Sequence, residues 1–368
     1  MHALITADTL GGVWTYTREL VSGLVRQGVR VTLVSFGNIP SPTQTSWMED
    51  LDGLDYRPTA FKLEWMQECE DDIRASTEYL QAVVEETKPD VLHLNQYCYG
   101  ALPTDVPRLV VAHSDVVSWW GEVHGHEPPD NDWIVWYRDA VACGLASAAA
   151  VAAPSQWMLD RIIVQYGAHP NSRIIHNGRN PHLFNPYVEK ENCVLAAGRL
   201  WDAGKNVDLL TKAQHSLPVR IVGSTSHPDR PRAGAKRQQA RGNVTFDGFK
   251  SEGEMRELYS RSAIYAVTSR YEPFGLAPLE AAFSRCALVV NDIPSMREIW
   301  GEAACYFRTN DADDLAEAIQ SLSVERDKRV HYGNLAYQRA RQLYTADRMV
   351  KGYMQLYSEL VRAEVAAA

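Results

Sequence analysis

The sequence predicts two α/β domains, each built on a parallel sheet, and three observations carry that expectation. At 368 residues the chain is too long for one ordinary domain and suits two of roughly 180 residues each. Between Ala3 and Phe36 a strand, a glycine loop, an amphipathic helix and a second strand follow one another, the opening unit of a Rossmann-like half. The same order restarts at Cys193, after a polar, proline-bearing stretch over 185–192 that reads as a linker.

Composition and charge narrow the function classes. With 45% hydrophobic and 23% charged residues, the balance is that of a globular protein. No apolar run approaches the roughly 20 residues that span a bilayer. The start, Met1-His2-Ala3-Leu4-Ile5, enters a strand directly and lacks the basic opening of a signal peptide, so a cytoplasmic location is expected. Cysteines 69, 98, 143, 193, 286 and 305 show no CxxC spacing, which argues against a zinc site or disulfide framework and for buried thiols. Residues 1–180 hold 12 Lys and Arg against 23 Asp and Glu, net −11, while the remainder holds 25 against 23. An acidic first half disfavours nucleic acid and anionic lipid; the second half suits a phosphorylated ligand.

In chain order, residues 3–6 form the first strand, Thr9 to Val13 a loop containing Gly11 and Gly12, 13–26 a helix with Leu20, Leu24 and Val25 inward, and 29–36 the second strand. The glycines do not spell GxGxxG, so no dinucleotide cofactor is expected; the pair serves either close approach to a ligand or a tight turn. A short strand is expected at 56–61, a helix at 73–87 and strands within 89–95 and 108–112, the last ending in His113-Ser114-Asp115. An aromatic insert follows. Trp133, Trp136 and Tyr137 fall on a helical pattern and read as core, whereas Trp119 and Trp120, just past His113, are placed to stack on a flat acceptor. Asp130-Asn131-Asp132 imitates a metal-holding Asp-x-Asp, but it follows two prolines and precedes a helix, so Asp130 or Asp132 is expected as N-cap and no metal is assigned. A strand at 149–153 and a helix from Ser155 to Tyr166 close this half.

The second half runs strand 193–197, loop 198–206, helix 207–217 and strand 219–222 ending at Gly223. Loop 198–206 places five residues between its glycines and Asn206 after Lys205, so it fails as an ATP-binding P-loop. Residues 225–243, with Arg230, Arg232, Lys236, Arg237 and Arg241, read as a mobile flap or solvated face. A strand at 263–267 then leads through Ser269-Arg270-Tyr271-Glu272-Pro273-Phe274-Gly275 into a helix opening at Leu276. That puts Glu272 in a strand-to-helix loop, where open α/β sheets bind ligands, and the first-turn N–H groups near Gly275 suit a phosphate. Taken alone, Glu272 and Glu280 serve equally as acids offsetting the positive end of a helix. Helices at 311–322, 325–343 and 344–361 complete the chain.

Two glutamates eight apart around Pro-Phe-Gly-Leu resemble the signature of the retaining GT-B glycosyltransferases of family 4 type, the group that includes glycogen and sucrose-phosphate synthases. The resemblance extends over nearly the whole chain: Gly11-Gly12, His113, Asn177-Gly178 with Phe184, Gly198-Arg199-Leu200 with Lys205, Gly223 and Glu298 all fall at motif positions. It implies two Rossmann-like domains facing across a cleft: 1–185 for the acceptor, 186–343 for the donor, and 344–368 as a helix packing back on the first. It also implies Glu272 and His113 at the donor sugar, Glu280 at the ribose hydroxyls, and Arg199 and Lys205 as a clamp on the diphosphate. Gly11, Gly12, Gly223, Phe274, Gly275 and Leu276 complete the implied donor contacts, and Trp119, Trp120 and Asp115 the acceptor side. The expected reaction is sugar transfer from a nucleoside diphosphate sugar to the hydroxyl of a soluble acceptor, without cofactor, metal or stable membrane anchoring. The alternatives are a phosphorylase or epimerase of the same fold, or a non-catalytic sugar-nucleotide binder. His176 and Arg179 replace the family's Pro and Val, Ser114 separates His113 from the neighbouring acid, and Arg285 stands where the family has glycine.

Overall fold

In the computed structural model, residues 1–227 and 242–367 are described. The chain divides into two compact units, Met1–Gly121 with His126–Gly178 and Ala346–Ala368, and Glu122–Gly125 with Arg179–Thr345. The basic stretch from Arg230 to Arg241 lies outside the described residues.

The first unit holds seven parallel strands: β1 (His2–Asp8), β2 (Arg30–Phe36), β3 (Leu54–Pro58), β4 (Val91–Leu94), β5 (Arg108–Val111), β6 (Ala150–Ala153) and β7 (Ser172–Ile174). Their order is β3-β2-β1-β4-β5-β6-β7, so the winding direction reverses between β1 and β4. All seven residues of β1 are buried, as a strand covered on both faces requires. Ile5 pairs with Leu33 on one side and His93 on the other. The terminal helix Ala346–Ala367 belongs to this unit and lies close on helix Gly12–Arg26. A Cβ on Gly23 would stand 2.4 Å from the Val350 side chain, so glycine makes room for the crossing.

The second unit repeats the plan with β8 (Glu191–Ala197), β9 (Val219–Val222), β10 (Val244–Phe246), β11 (Ser262–Val267), β12 (Ala287–Asn291) and β13 (Cys305–Phe307), all parallel. The order β10-β9-β8-β11-β12-β13 reverses between β8 and β11. Two apolar layers cover its faces: Leu195, Tyr265, Phe283 and Trp300 in one, Val194, Ile264, Leu209 and Ile319 in the other. Adjacent residues of a strand point oppositely, so the pairs Val194–Leu195 and Ile264–Tyr265 feed both layers.

Several expectations are corrected. The strand expected at 56–61 is Leu54–Pro58. The helix expected at 207–217 is only a 3-10 segment, Val207–Thr211. Its three apolar residues do pack inward, but the His215 ring bonds the Leu210 carbonyl at 2.8 Å, taking the acceptor a longer helix would use. Asn131, rather than Asp130 or Asp132, caps helix Asp132–Ser147, its Oδ1 accepting from the Ile134 N–H at 2.9 Å. Cys143 is exposed, and Cys98 and Cys305 are half-buried, so only three of the six cysteines are the buried thiols expected.

Candidate active site

In the second unit the loops that follow β8 and β11 lie at the switch strands, where a doubly wound sheet opens a crevice. The β8 loop is drawn tight by glycine. Gly223 has φ +149, and a Cβ there would stand 1.8 Å from the Gly198 carbonyl oxygen; only glycine permits that approach. Asp202 closes the loop on itself, Oδ1 accepting from the Gly204 N–H at 2.8 Å and Oδ2 pairing with Arg199 at 2.7 Å. The Arg199 side chain is 44% exposed and lies over the Trp201 ring at 5.1 Å. The stem of Lys205 covers Gly198, where a Cβ would stand 3.3 Å from its Cγ.

The β11 loop is stitched to the first. The Thr268 hydroxyl donates to the Lys205 carbonyl at 2.8 Å, and the Arg270 N–H donates to the Gly204 carbonyl at 2.8 Å. Between these bonds Glu272 is 8% exposed, and its Oε2 accepts from Lys205 Nζ at 2.6 Å and from the Ser269 hydroxyl at 2.8 Å. A short charge-assisted bond of this kind fixes both side chains. Gly275 turns the chain into helix Leu276–Phe283 with φ +89; a Cβ there would stand 2.7 Å from Pro278 Cγ. Phe274 is sent into the core, edge-on to Tyr344 at 5.3 Å, which leaves its backbone as the part that can meet a ligand. Leu276 is half-buried. Glu280, on the same helix, pairs through Oε1 with Arg179 Nε at 2.8 Å.

In the first unit Gly11 and Gly12 are exposed at the start of helix Gly12–Arg26, Gly11 at φ +84. His113 follows β5. Asn95, at the end of β4, donates its Nδ2 to the Thr6 carbonyl at 2.6 Å, which turns Oδ1 toward His113 Nε2 at 2.8 Å. The imidazole therefore donates from Nε2, and burial holds its pKa down at about 3, so the neutral ring keeps its lone pair on Nδ1. The Tyr16 ring packs edge-on against it at 4.4 Å. Below lies His93, fully buried, between the hydroxyls of Tyr16 at 3.1 Å and Tyr357 at 2.6 Å, with its pKa also lowered to about 3, first by burial and then by His113.

Asp115, expected beside an acceptor, is 1% exposed. Its Oδ2 accepts from the N–H and hydroxyl of Ser118 at 2.7 and 2.6 Å, and its Oδ1 accepts from Tyr137 and Tyr166 at 3.1 and 2.8 Å. The carboxylate is thus used in capping helix Val116–His124 and has no face turned to solvent. Trp119 and Trp120 are half-buried on that helix, 6.2 Å apart and nearly perpendicular. Asn95, Ser269, Glu64 and the pairing of Arg179 carry no signal in the sequence that marks them as part of a site. Glu64 is buried and accepts the Tyr97 and Cys98 N–H groups at 2.8 and 2.7 Å. No motif announced these partners, because their geometry depends on residues distant in sequence, such as Thr6 for Asn95 and Glu280 for Arg179. Among the described residues no group of three or more His, Cys, Asp or Glu is gathered to hold a metal ion.

Two parallel sheets of Rossmann order make up the GT-B fold. Comparison with known proteins gives the family. Glycosyltransferase Family 4 matches residues 10–183 and Glycosyl transferases group 1 matches residues 183–339; between them they span most of the chain, which belongs to the family 4 type glycosyltransferases. The chain is similar to O-antigen chain mannosyltransferase C of Escherichia coli, 22% identical over 97% of this chain and 96% of that one. In fold it is similar to sucrose-phosphate synthase from Thermosynechococcus elongatus, with TM-score 0.78, 20% identity and coverage of 98% and 99%. Anabaena HepE, solved with UDP and glucose, is also similar, with TM-score 0.72, 15% identity and coverage of 98% and 100%.

Proposed function

We propose that this glycosyltransferase moves a hexosyl group from a nucleoside diphosphate sugar to an acceptor hydroxyl with retention of anomeric configuration. The observation that carries the reading is the Lys205–Glu272 pair at 2.6 Å, placed by two loops of the switch strands beside the glycine start of a helix. Lys205 and the more exposed Arg199 supply positive charge for a diphosphate, together with the backbone N–H groups after Gly275. Glu272, held by Lys205 and Ser269, is the candidate contact to the donor sugar, and Glu280 the candidate contact to the ribose.

In the transfer the bond from the anomeric carbon to the diphosphate oxygen breaks and a bond to the acceptor oxygen forms. The acceptor proton passes to the departing phosphate oxygen, whose growing charge Lys205 and Arg199 offset. Neutral His113, with Nδ1 unprotonated, is the candidate acceptor of a hydrogen bond from a sugar hydroxyl. HepE was solved with UDP and glucose, which supports a nucleoside diphosphate sugar without deciding the base or sugar for this chain. No cofactor or metal enters the scheme, and the acceptor is proposed to be soluble. Proton NMR of the anomeric region during turnover tests the stereochemistry: the product's first-formed anomer should match the donor's, and the opposite anomer would overturn the reading.

A further inference from the structure

Arg179 is a cation that the scheme above does not use. Its side chain is 1% exposed, and its guanidinium stands 2.8 Å from Glu280 Oε1 through Nε and 2.9 Å from Glu252 Oε1. Glu252 is in turn paired with Arg256 at 2.7 Å, so two cations and two carboxylates balance. The Phe184 ring lies 5.5 Å beneath the guanidinium, and the backbone is pinned where the Arg179 N–H donates to the Tyr344 carbonyl at 3.2 Å. The Tyr259 hydroxyl also bonds Glu280.

Burying a guanidinium is costly, and apolar residues of the same volume commonly serve stability as well or better. A stability role alone therefore gives little reason for arginine at this position. The geometry separates the two ends of the pair: Arg179 is sealed, while the Glu280 side chain is 15% exposed. A mostly buried carboxylate without a counter-charge tends to take up a proton, and it would then be a poor acceptor for a diol. A guanidinium held from below supplies that counter-charge at 2.8 Å and restricts where the carboxylate can sit.

We propose that Arg179 is a positioning residue that holds Glu280 as an oriented carboxylate for the ribose hydroxyls of the donor nucleotide; this rests on the assignment of Glu280 given above. The test uses calorimetric titration with whichever of UDP, ADP and GDP binds best, alongside its 2′-deoxy and 3′-deoxy forms. The intact protein should prefer the ribonucleotide by about tenfold or more. Glu280→Gln and Arg179→Met should each lose most of that preference, and the double variant should lose no more than either alone. Glu252→Gln, which removes the other partner, should keep the preference while lowering Tm. If Arg179→Met does not fold, Arg179→Lys carries the test, since one ammonium cannot stand at both nitrogen positions that meet Glu280 and Glu252, and its preference should fall several-fold. Full preference in a folded Arg179 variant overturns the positioning role while leaving Glu280 in place. Full preference in Glu280→Gln, or none in the intact protein, removes Glu280 from the ribose and this inference with it.

Discussion

Lys205 meets Glu272 because its own loop is tied down at both ends, by the Gly198–Gly223 approach before it and the Thr268 hydroxyl after it. Removing the ammonium should weaken nucleoside diphosphate binding most. Lys205→Ala should lose about 1.5–3 kcal/mol, the value of a charge-assisted contact, or about 10- to 100-fold in Kd. Arg199→Ala should lose less, since Arg199 is 44% exposed and already paired with Asp202. Equal affinity of the Lys205 variant and the intact protein, by titration calorimetry, would contradict the clamp. Glu280→Gln should raise the donor KM more than it lowers kcat, because ribose contacts persist from ground state to transition state; a collapsed kcat with unchanged KM would reverse the roles of the two glutamates. The loop positions of Glu272, Arg199 and Lys205 were legible from strand, turn and helix signals, while the roles proposed for them came from the family resemblance. Asp115 misled because a polar residue after a strand serves as well for a cap as for a ligand.

At the scale of elements, Arg285 shows how a departure from a family pattern is accommodated. It ends helix Leu276–Phe283 in the left-handed region with φ +59, where glycine is at ease. Its guanidinium lies 4.6 Å from the Tyr337 ring and 5.3 Å from Tyr187. Left-handed backbone costs a non-glycine residue about 1–2 kcal/mol, and two cation–π contacts, one to half-buried Tyr337 and one to exposed Tyr187, return roughly the same. Arg285→Gly should therefore change stability by less than about 1 kcal/mol, whereas Arg285→Ala, which keeps the strain and loses the contacts, should cost about 1–2 kcal/mol. Denaturant midpoints of the two variants check this, and Ala proving no worse than Gly would refute it. Element types were largely readable from periodicity. One exception, at residues 207–217, arose because three apolar residues over one turn fit either a helix or a 3-10 segment, and the His215 ring within the same stretch takes the Leu210 carbonyl.

For the whole molecule, the two sheets were legible because parallel strands buried on both faces leave continuous apolar runs between glycine turns, as in β1 and β11. What the sequence withheld is the polar wiring beneath them. His93 and His113 are neutral in the folded state, with pKa values near 3 against an ordinary 6.5. The groups facing His93 are Tyr16, Tyr353, Tyr357 and His113, none an acid. Their folded values lie below the unfolded one, so this contribution is complete above pH 6.5 and is lost as pH falls toward 3. At roughly 1.4 kcal/mol per pH unit below 6.5 for each ring, the pair withdraws on the order of 7 kcal/mol by pH 4. Glu64, raised by burial, acts in the opposite direction. Urea unfolding at pH 7 and pH 5 should show a marked loss that His93→Gln lessens; an equal loss in the variant would contradict the assignment.

The acidic balance of residues 1–180 leads to a further expectation, that the protein does not co-sediment with anionic vesicles at physiological salt. Binding that high salt abolishes would contradict the proposal of a soluble acceptor. Sugar transfer should depend on the Lys205–Glu272 pair, and nucleotide release from a panel of UDP-, GDP-, ADP- and TDP-sugars in the presence of mixed hydroxyl acceptors measures that dependence. One donor should give nucleoside diphosphate together with a sugar-extended product visible by mass spectrometry, and Lys205→Ala should lose most of that activity. Release of nucleotide by neither protein, or equal release by both, would contradict the account.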